Sequence, residues 1–288
     1  MGGLRVRWLV VGSQGMLGTD LVELLTTRGH EVTGVDRGEI DITVPDGLDE
    51  LVAEADVLVN CAAWTAVDAA ETHEPAAFAV NASGAGLLAA AAARAGTRMV
   101  QISTDYVFDG LAATPYAEAA ATSPRSAYGR TKLAGEWAVR ALATDHLVVR
   151  TAWLYGAGGA CFPKTIARVA AERGALDVVD DQVGQPTWTV DLADLVARLV
   201  ERHAPTGVYH GTSSGRVSWF GFAQAIVAAA GMDPAIVRPT TGADYVRPAP
   251  RPAFSVLGHD ALDAIDVAPI ADWSQRWSTA AEHVLAAR

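Results

Sequence analysis

The sequence predicts an α/β protein, a doubly wound parallel sheet with a smaller C-terminal lobe. Short apolar runs alternate with helical patterns through about Arg150, a glycine-rich string closes the first of those runs, and the rhythm breaks after Thr151. Arg7 to Gly12 (RWLVVG) is β-branched and apolar, and it predicts the first strand. Leu21, Val22, Leu24 and Leu25 then fall at helical spacing within Thr19 to Arg28. Glu31 to Asp36 predicts a second strand, Ala55 to Ala62 a third and Met99 to Ser103 a fourth. An alanine-rich helix is expected before that fourth strand, at about Ala76 to Gly96. Ser126 to Leu142 reads as a helix and His146 to Thr151 as a fifth strand. Fully apolar strand centres such as Val57-Leu58-Val59 suit a sheet covered on both faces.

Beyond Thr151, glycines cluster at Gly156, Gly158 and Gly159. A helix is expected over about Phe162 to Glu172 and a loop over Asp180 to Pro186. Asp191 to His203 is amphipathic, and Gly207 to His210 is a short strand. The tail from Arg238 carries Pro239, Pro248, Pro250 and Pro252. The expected division is a nucleotide-binding domain at 1–150, with 188–211 packing back on it, and a substrate lobe from 151–187 and 212–288. No internal repeat is visible.

Bulk properties narrow the function. A chain of 288 residues that is 50% hydrophobic can bury a large core. A net charge of −11 argues against a nucleic-acid backbone as ligand, because such binders cluster Lys and Arg. Cys61 and Cys161 indicate neither a disulfide framework nor a zinc site. No cationic-then-apolar leader opens the chain at Met1 to Arg7, and no apolar run reaches the roughly 20 residues of a membrane span. The expectation is a cytoplasmic protein that binds neither nucleic acid nor membrane.

Gly12-Ser13-Gln14-Gly15-Met16-Leu17-Gly18 has the form G-x-x-G-x-x-G between a strand and a helix, the Rossmann-type arrangement. Gly12 permits the tight turn, Gly15 lets backbone approach a pyrophosphate, and Gly18 lets helix and strand pack closely. The helix N-terminus offers free N–H groups and partial positive charge. Asp36 ends the next strand, where a carboxylate accepts from an adenosine ribose and repels a 2′-phosphate. Arg37 beside it pairs with a 2′-phosphate instead. The two signals compete, so NADPH or NADH is the expected cofactor.

Tyr128 and Lys132 lie four residues apart on one helical face. A free phenol near pKa ~10 is a poor acid at neutral pH. A nearby ammonium favours the phenolate, so Lys132 is expected to lower the pKa of Tyr128. Tyr128 then donates a proton to a carbonyl oxygen as hydride arrives at the carbon, and Lys132 can hold the nicotinamide ribose. Thr104 closes the fourth strand, at the sheet edge where ligands bind in open α/β folds, and can hydrogen-bond the same oxygen.

Longer strings resemble one family within the extended short-chain dehydrogenase/reductase superfamily. Val59 to Asp68 (VNCAAWTAVD) is similar to the VNAAAYTAVD stretch of the dTDP-4-dehydrorhamnose reductases. Ser103 to Gly110 (STDYVFDG), Tyr128 to Glu136 (YGRTKLAGE), Arg150 to Tyr155 (RTAWLY), Asp180 to Thr187 (DDQVGQPT) and Arg247 to Leu257 (RPAPRPAFSVL) resemble that family in order and spacing. The resemblance implies reduction of the C4 ketone of dTDP-6-deoxy-L-lyxo-4-hexulose (dTDP-4-dehydro-β-L-rhamnose) to dTDP-L-rhamnose with NADPH or NADH, by a monomer or homodimer. It implies that Thr104, Tyr128 and Lys132 are catalytic. Gln14, Gly15, Met16, Leu17, Asp41, Ile42, Ala62, Ala63 and Thr65 match cofactor positions. Val67, Asp105, Tyr106 and Trp153 match positions lining the deoxysugar pocket, and Arg251 looks like a partner for the diphosphate.

Some positions depart from the family. Cys161-Phe162 stands where Asn-Phe is frequent, and Trp64 where Tyr or His is usual. Some members dimerise through a magnesium ion held by glutamates; the best-matching acids here, Asp20 and Asp191, are one methylene shorter, and no metal is expected. Sugar-nucleotide 4,6-dehydratases carry Asp-Glu after the catalytic threonine, whereas this chain has Asp105-Tyr106, which disfavours dehydration. The alternatives are a 4-ketoreductase for another dTDP-deoxysugar and a non-catalytic NADP-binding regulatory subunit, against which the intact Thr104, Tyr128 and Lys132 argue.

Overall fold

Six parallel strands make the central sheet of the computed structural model, which describes residues 5–286. Met1 to Leu4, on which part of the leader expectation falls, lie outside the described residues. The strands are β1 (Arg7–Val11), β2 (Glu31–Val35), β3 (Val57–Asn60), β4 (Arg98–Thr104), β5 (His146–Thr151) and β6 (Gly207–His210), in the order β6-β5-β4-β3-β1-β2. The order reverses at β1, whose neighbours are β2 and β3, and the crevice outside their C-terminal ends is where such sheets bind ligands.

Successive strand residues face opposite helical layers, as the pleat requires. Trp8 and Val10 of β1, with Val57, Val59, Val100 and Leu147, pack on α1 (Met16–Thr27). Leu9 and Val11, with Leu58, Met99 and Val148, face the other way, onto α2 (Leu48–Ala53), α3 (Glu74–Ala95) and α4 (Ala127–Leu142). Each fully buried aliphatic side chain here contributes roughly 1.5–3 kcal/mol, which is why strands apolar on both faces settle at the centre.

In α3, Pro75 stands in the first turn, where its missing N–H costs nothing, and Gly96 ends the helix at φ +70°. The helix runs unbroken through a π-turn at Ala79–Gly84. At 22 residues, α3 is long and apolar enough to cross a membrane, contrary to the expectation that no run reaches that length, but half of its apolar window is buried inside the protein.

After Thr151 the chain forms α5 (Phe162–Arg173) and α6 (Thr189–Glu201), and then returns as β6 beside β5. The buried face of α6, Leu192 to Val200, joins the layer of α1. Two further helices, α7 (Trp219–Ala229) and α8 (Trp273–Ala286), are absent from the sequence expectations. With α5 they enclose a separate core around Tyr155, Phe222, Ile226 and Trp277. Short strand pairs brace this lobe: Leu176–Val179 with Val237–Thr240, and Val183–Gly184 with Val217–Ser218.

Candidate active site

The glycine loop sits where β1 meets the start of α1. Gly12 has φ +81°, and a Cβ there would stand 2.7 Å from the backbone nitrogen of Ala62. A Cβ on Gly18 would strike the Gly12 carbonyl oxygen at 2.1 Å. Gly15 is the N-cap of α1, which has no side-chain cap and no acidic residue in its first turn. No protein side chain competes for the N–H groups of its first turn, which leaves them available to an anion.

Around this loop the sequence-predicted residues divide. Gln14, Gly15 and Thr65 are exposed, while Met16, Ala62 and Ala63 are partly so. Leu17 points into the core below α1 and offers a ligand only backbone. Met16 packs against Gly156, which explains part of the glycine cluster after β5. Ile42 is buried against Gly84, and Asp41 is exposed, with hydrogen bonds from Thr43 holding its carboxyl below the usual range. Asp36 braces the loop through one oxygen, which accepts from the Gln14 N–H at 3.0 Å, while the other accepts from the Arg37 N–H at 2.7 Å. The Arg37 side chain is exposed beside it.

Thr104 ends β4 and caps the 3₁₀ turn Asp105–Val107, accepting from the Tyr106 N–H at 3.2 Å. It donates to Asp105 Oδ1 at 2.9 Å. Helix α4 starts at Ser126, whose Oγ accepts from the Gly129 N–H at 3.1 Å. A Cβ at Gly129 would lie 2.3 Å from the Tyr106 carbonyl, so glycine lets α4 close on the 3₁₀ turn. That contact sets Tyr128 edge-on to Tyr106, with ring centroids 5.6 Å apart.

The electrostatics correct one expectation. Burial pushes the Tyr128 phenol up to about 12, and hydrogen bonding with Thr104 opposes it only in part. The anticipated lowering by Lys132 is not what the site does. Lys132 is buried, and its Nζ donates to the Ile102 carbonyl at 2.7 Å rather than to the phenol. Burial lowers Lys132 to about 8, with the Glu136 carboxylate holding it up. Tyr128 is therefore a protonated phenol at neutral pH, the state a proton donor needs.

Asp105 is buried, and burial pushes its carboxyl up to about 6 against hydrogen bonds from Ser255 and Thr104. Trp153 has φ +48°, inside the left-handed region that L side chains avoid. Its ring covers Gly184, where a Cβ would fall 2.5 Å away, and stacks on Trp219 with centroids 3.4 Å apart. Val67 starts the single-turn helix Val67–Ala70, and Arg251 is ion-paired to Asp68. The strings around Gly184 and Arg251 interlock: Val183 donates to the Ala253 carbonyl and Phe254 to that of Gly110, both through backbone N–H.

Several site-building residues escaped sequence reasoning. Glu136 accepts from Arg150 Nε and Nη2 at 2.9 and 2.7 Å and from the Ser103 hydroxyl at 2.6 Å, all buried. Asn81, in the π-turn, accepts from the Trp64 N–H at 2.8 Å and donates to Thr131 at 3.0 Å. Trp219 backs Trp153. Glu136 lies within the family-like YGRTKLAGE string, and that is the one signal that points to it. Of the departures, Cys161 is a buried free thiol, and the Trp64 indole donates to the Ala66 carbonyl at 3.1 Å. Asp191 spends both carboxylate oxygens on Arg276, each at 2.8 Å, and Asp20 accepts from Thr189.

Comparison with known proteins agrees with this architecture. Residues 6–286 match the family model of the RmlD substrate binding domain. The chain is 48% identical over 276 residues to a dTDP-4-dehydrorhamnose reductase of Streptomyces griseus, covering 93% of this chain and 91% of that one. It is 46% identical over 286 residues to a probable dTDP-4,6-dihydroxy-2-methyloxan-3-one 4-ketoreductase of Streptomyces antibioticus, covering 98% and 97%. The crystal structure of the Bacillus anthracis dTDP-4-dehydrorhamnose reductase in complex with NADP superposes with a TM-score of 0.93 at 34% identity, covering 96% of this chain and 99% of the other.

Proposed function

The chain belongs to the family of the RmlD substrate binding domain, and from that premise we propose that it reduces the C4 ketone of dTDP-4-dehydro-β-L-rhamnose to the alcohol of dTDP-L-rhamnose with NADPH or NADH. The observation that carries this reading is the protonated Tyr128 phenol set beside Thr104 at the C-terminal edge of the sheet.

The glycine loop fits a pyrophosphate, because side chains at Gly12 and Gly18 would strike backbone and the α1 N-terminus is uncapped. Gly12, Gln14, Gly15 and Met16 would hold the cofactor's phosphates. Asp41, Ile42, Ala62, Ala63, Thr65 and Leu17 would flank its remainder, with Asp36 and Arg37 at the adenosine ribose. When bound, reduced nicotinamide supplies the hydride. Thr104 hydrogen-bonds the ketone oxygen, and Tyr128 delivers its proton to that oxygen as negative charge develops there. The phenolate left behind is the state that the ammonium of Lys132, one turn along α4, stabilises. In the free site Asp105 accepts the Thr104 hydroxyl hydrogen, a bond that the ketone oxygen replaces when substrate binds. Val67, Tyr106 and Trp153 shape the sugar pocket, and Arg251 takes the diphosphate.

On this reading the cofactor domain is 1–150 with 188–211, and the remainder is the sugar-nucleotide lobe; support comes from β6 joining the sheet while α5, α7 and α8 build their own core. A reductase of this kind acts on cytoplasmic metabolites, as a monomer or homodimer. The test is a reaction of purified protein with the 4-keto-6-deoxy-L-sugar nucleotide and NADPH or NADH, followed by cofactor absorbance and product chromatography. Oxidation of neither cofactor would sink the assignment. Tyr128→Phe should lose roughly 10²–10⁴-fold in rate while still binding cofactor.

The 46% identity to the Streptomyces antibioticus 4-ketoreductase favours a second reading, reduction of another dTDP-4-keto sugar. Comparing kcat/KM for epimeric 4-keto sugars separates the two.

A further inference from the structure

Three charged side chains meet beside Tyr106. Asp68 follows the pocket-lining Val67 in its single-turn helix. Arg251 Nη2 lies 2.9 Å from Asp68 Oδ2, and Arg247 Nη1 lies 3.7 Å from the same oxygen. The Ala249 N–H donates to Asp68 Oδ1 at 3.2 Å. One carboxylate thus gathers two guanidinium groups and a backbone N–H from a single stretch of chain, 247–251.

The stretch is built to present those donors. Pro248, Pro250 and Pro252 alternate through it and fix φ at every second residue. Downstream it is pinned where Pro252 packs on Gly110 and the Phe254 N–H donates to the Gly110 carbonyl at 3.0 Å. Upstream, Tyr245 and Val246 are exposed, and Arg247 lies over the Tyr245 ring at 4.6 Å. Arg251 and Asp68 both act on the Tyr106 phenol, which burial pushes up and Arg251 draws down. Tyr106 in turn packs edge-on to Tyr128, so the charged cluster adjoins the reacting end of the site.

Two guanidiniums and an N–H around one carboxylate form a cradle already holding an anion. The same donors suit a diphosphate better, since it offers several oxygen edges and more charge than one carboxylate. The side chains of Arg247, Arg251 and Asp68 are 46%, 22% and 30% exposed, so solvent screens their pairing and leaves it open to exchange. We propose that Asp68 is a stand-in anion, holding Arg247 and Arg251 in a diphosphate cradle until the diphosphate of the nucleotide sugar displaces it. The inference rests on the nucleotide-sugar reading above and adds to it a second cation, Arg247, and a competitor, Asp68.

The exchange is tested by calorimetric titration of the full chain with dTDP. Asp68→Asn should bind dTDP about two- to fivefold more tightly, the worth of a partly exposed ion pair no longer broken on binding. Asp68→Ser should act in the same direction. Arg251→Ala should weaken dTDP about tenfold or more, and Arg247→Ala less, because its contact is longer. In the Arg251→Ala background the gain from Asp68→Asn should shrink. A gain of the same size there means that Asp68 only repels the ligand, and this overturns the exchange. Weaker or unchanged dTDP binding by both Asp68 variants, with NADPH affinity intact, overturns it as well. Failure of wild-type protein to bind dTDP would overturn the nucleotide-sugar reading itself, which dTDP binding indifferent to Asp68 would leave standing.

Discussion

Lys132 carries a charge that burial works against, and this sets the alkaline limit of the site. Its ammonium is lost as pH rises through about 8, whereas the Tyr128 phenol, at about 12, stays protonated throughout. Since kcat/KM reports groups of the free enzyme, it should fall about tenfold per pH unit above pH ~8. Lys132→Met should remove that limb along with most of the rate; a wild-type profile flat to pH ~10 refutes the assignment. Cofactor choice rests on the neighbouring pair at the end of β2. Asp36 has one oxygen on the Gln14 N–H and the other on the Arg37 N–H, which leaves the exposed Arg37 guanidinium for a 2′-phosphate. Arg37→Ala should therefore raise KM for NADPH about tenfold and leave that for NADH nearly unchanged, as lost charge-assisted hydrogen bonds require. Equal effects on both would sink this role. Thr104, Tyr128 and Lys132 were legible because each stands in a short string with its own chemical sense. The upward shift of Tyr128 and the pairing of Asp68 with Arg251 were not, because both depend on burial and on contacts between segments remote in sequence.

Helix α4 carries Tyr128 and Lys132, the two side chains proposed to act on the ketone, so whatever fixes its register fixes their placement. The buried Glu136–Arg150 pair ties α4 to β5, and the Ser103 hydroxyl ties the same carboxylate to β4, one residue before Thr104. Removing one partner leaves a buried unpaired charge, which costs about 3–5 kcal/mol. Glu136→Gln should lower urea-unfolding stability by about that amount, and Glu136→Met with Arg150→Met should recover much of it. A double variant less stable than either single one would show that the pair stabilises by itself. Pattern served well for β1 to β6 and for α1 and α4, whose apolar runs and glycine ends are local. It failed for α7, where Trp219 to Ala229 is so uniformly apolar that period 2 and period 3.6 both fit. It also failed for α8: Trp273, Trp277, Ala280, Ala281 and Val284 keep a helical period, but the proline-rich stretch before them suggested irregular chain. The π-turn of α3 has no sequence signature, and it appears where the Asn81 carbonyl must clear Gly135, whose Cβ would lie 2.1 Å away.

At the scale of the molecule, the sheet is completed by a strand from beyond the first 150 residues, and a buried histidine on that strand is hydrogen-bonded to the C-terminal lobe. His210 of β6 is buried, and its Nδ1–H donates to the Gly258 carbonyl at 2.8 Å, joining the last strand to the chain that leads into the lobe. Burial lowers its pKa to about 3, against 6.5 for the free side chain. The unfolded chain therefore takes up a proton below pH 6.5 that the folded protein refuses. This contribution to stability is complete above pH 6.5 and is lost progressively as pH falls toward 3. Asp105 has the opposite sign: its folded carboxyl titrates near 6 instead of 3.8, so the native state gains relative stability as pH falls through that interval. The two groups offset each other, and the pH dependence of wild-type stability alone does not reveal either. A difference measurement does. His210→Asn cannot take the proton, so its stability relative to wild type should rise by about 2 kcal/mol between pH ~6.5 and pH ~5, at roughly 1.36 kcal/mol per unit. Urea titrations at several pH values would read this as converging midpoints, whatever the variant costs in packing at neutral pH. Parallel midpoints would mean that His210 is charged in the fold, and the junction of β6 with the C-terminal segment would then be an ion pair with Glu118, 3.8 Å away, instead of a neutral hydrogen bond.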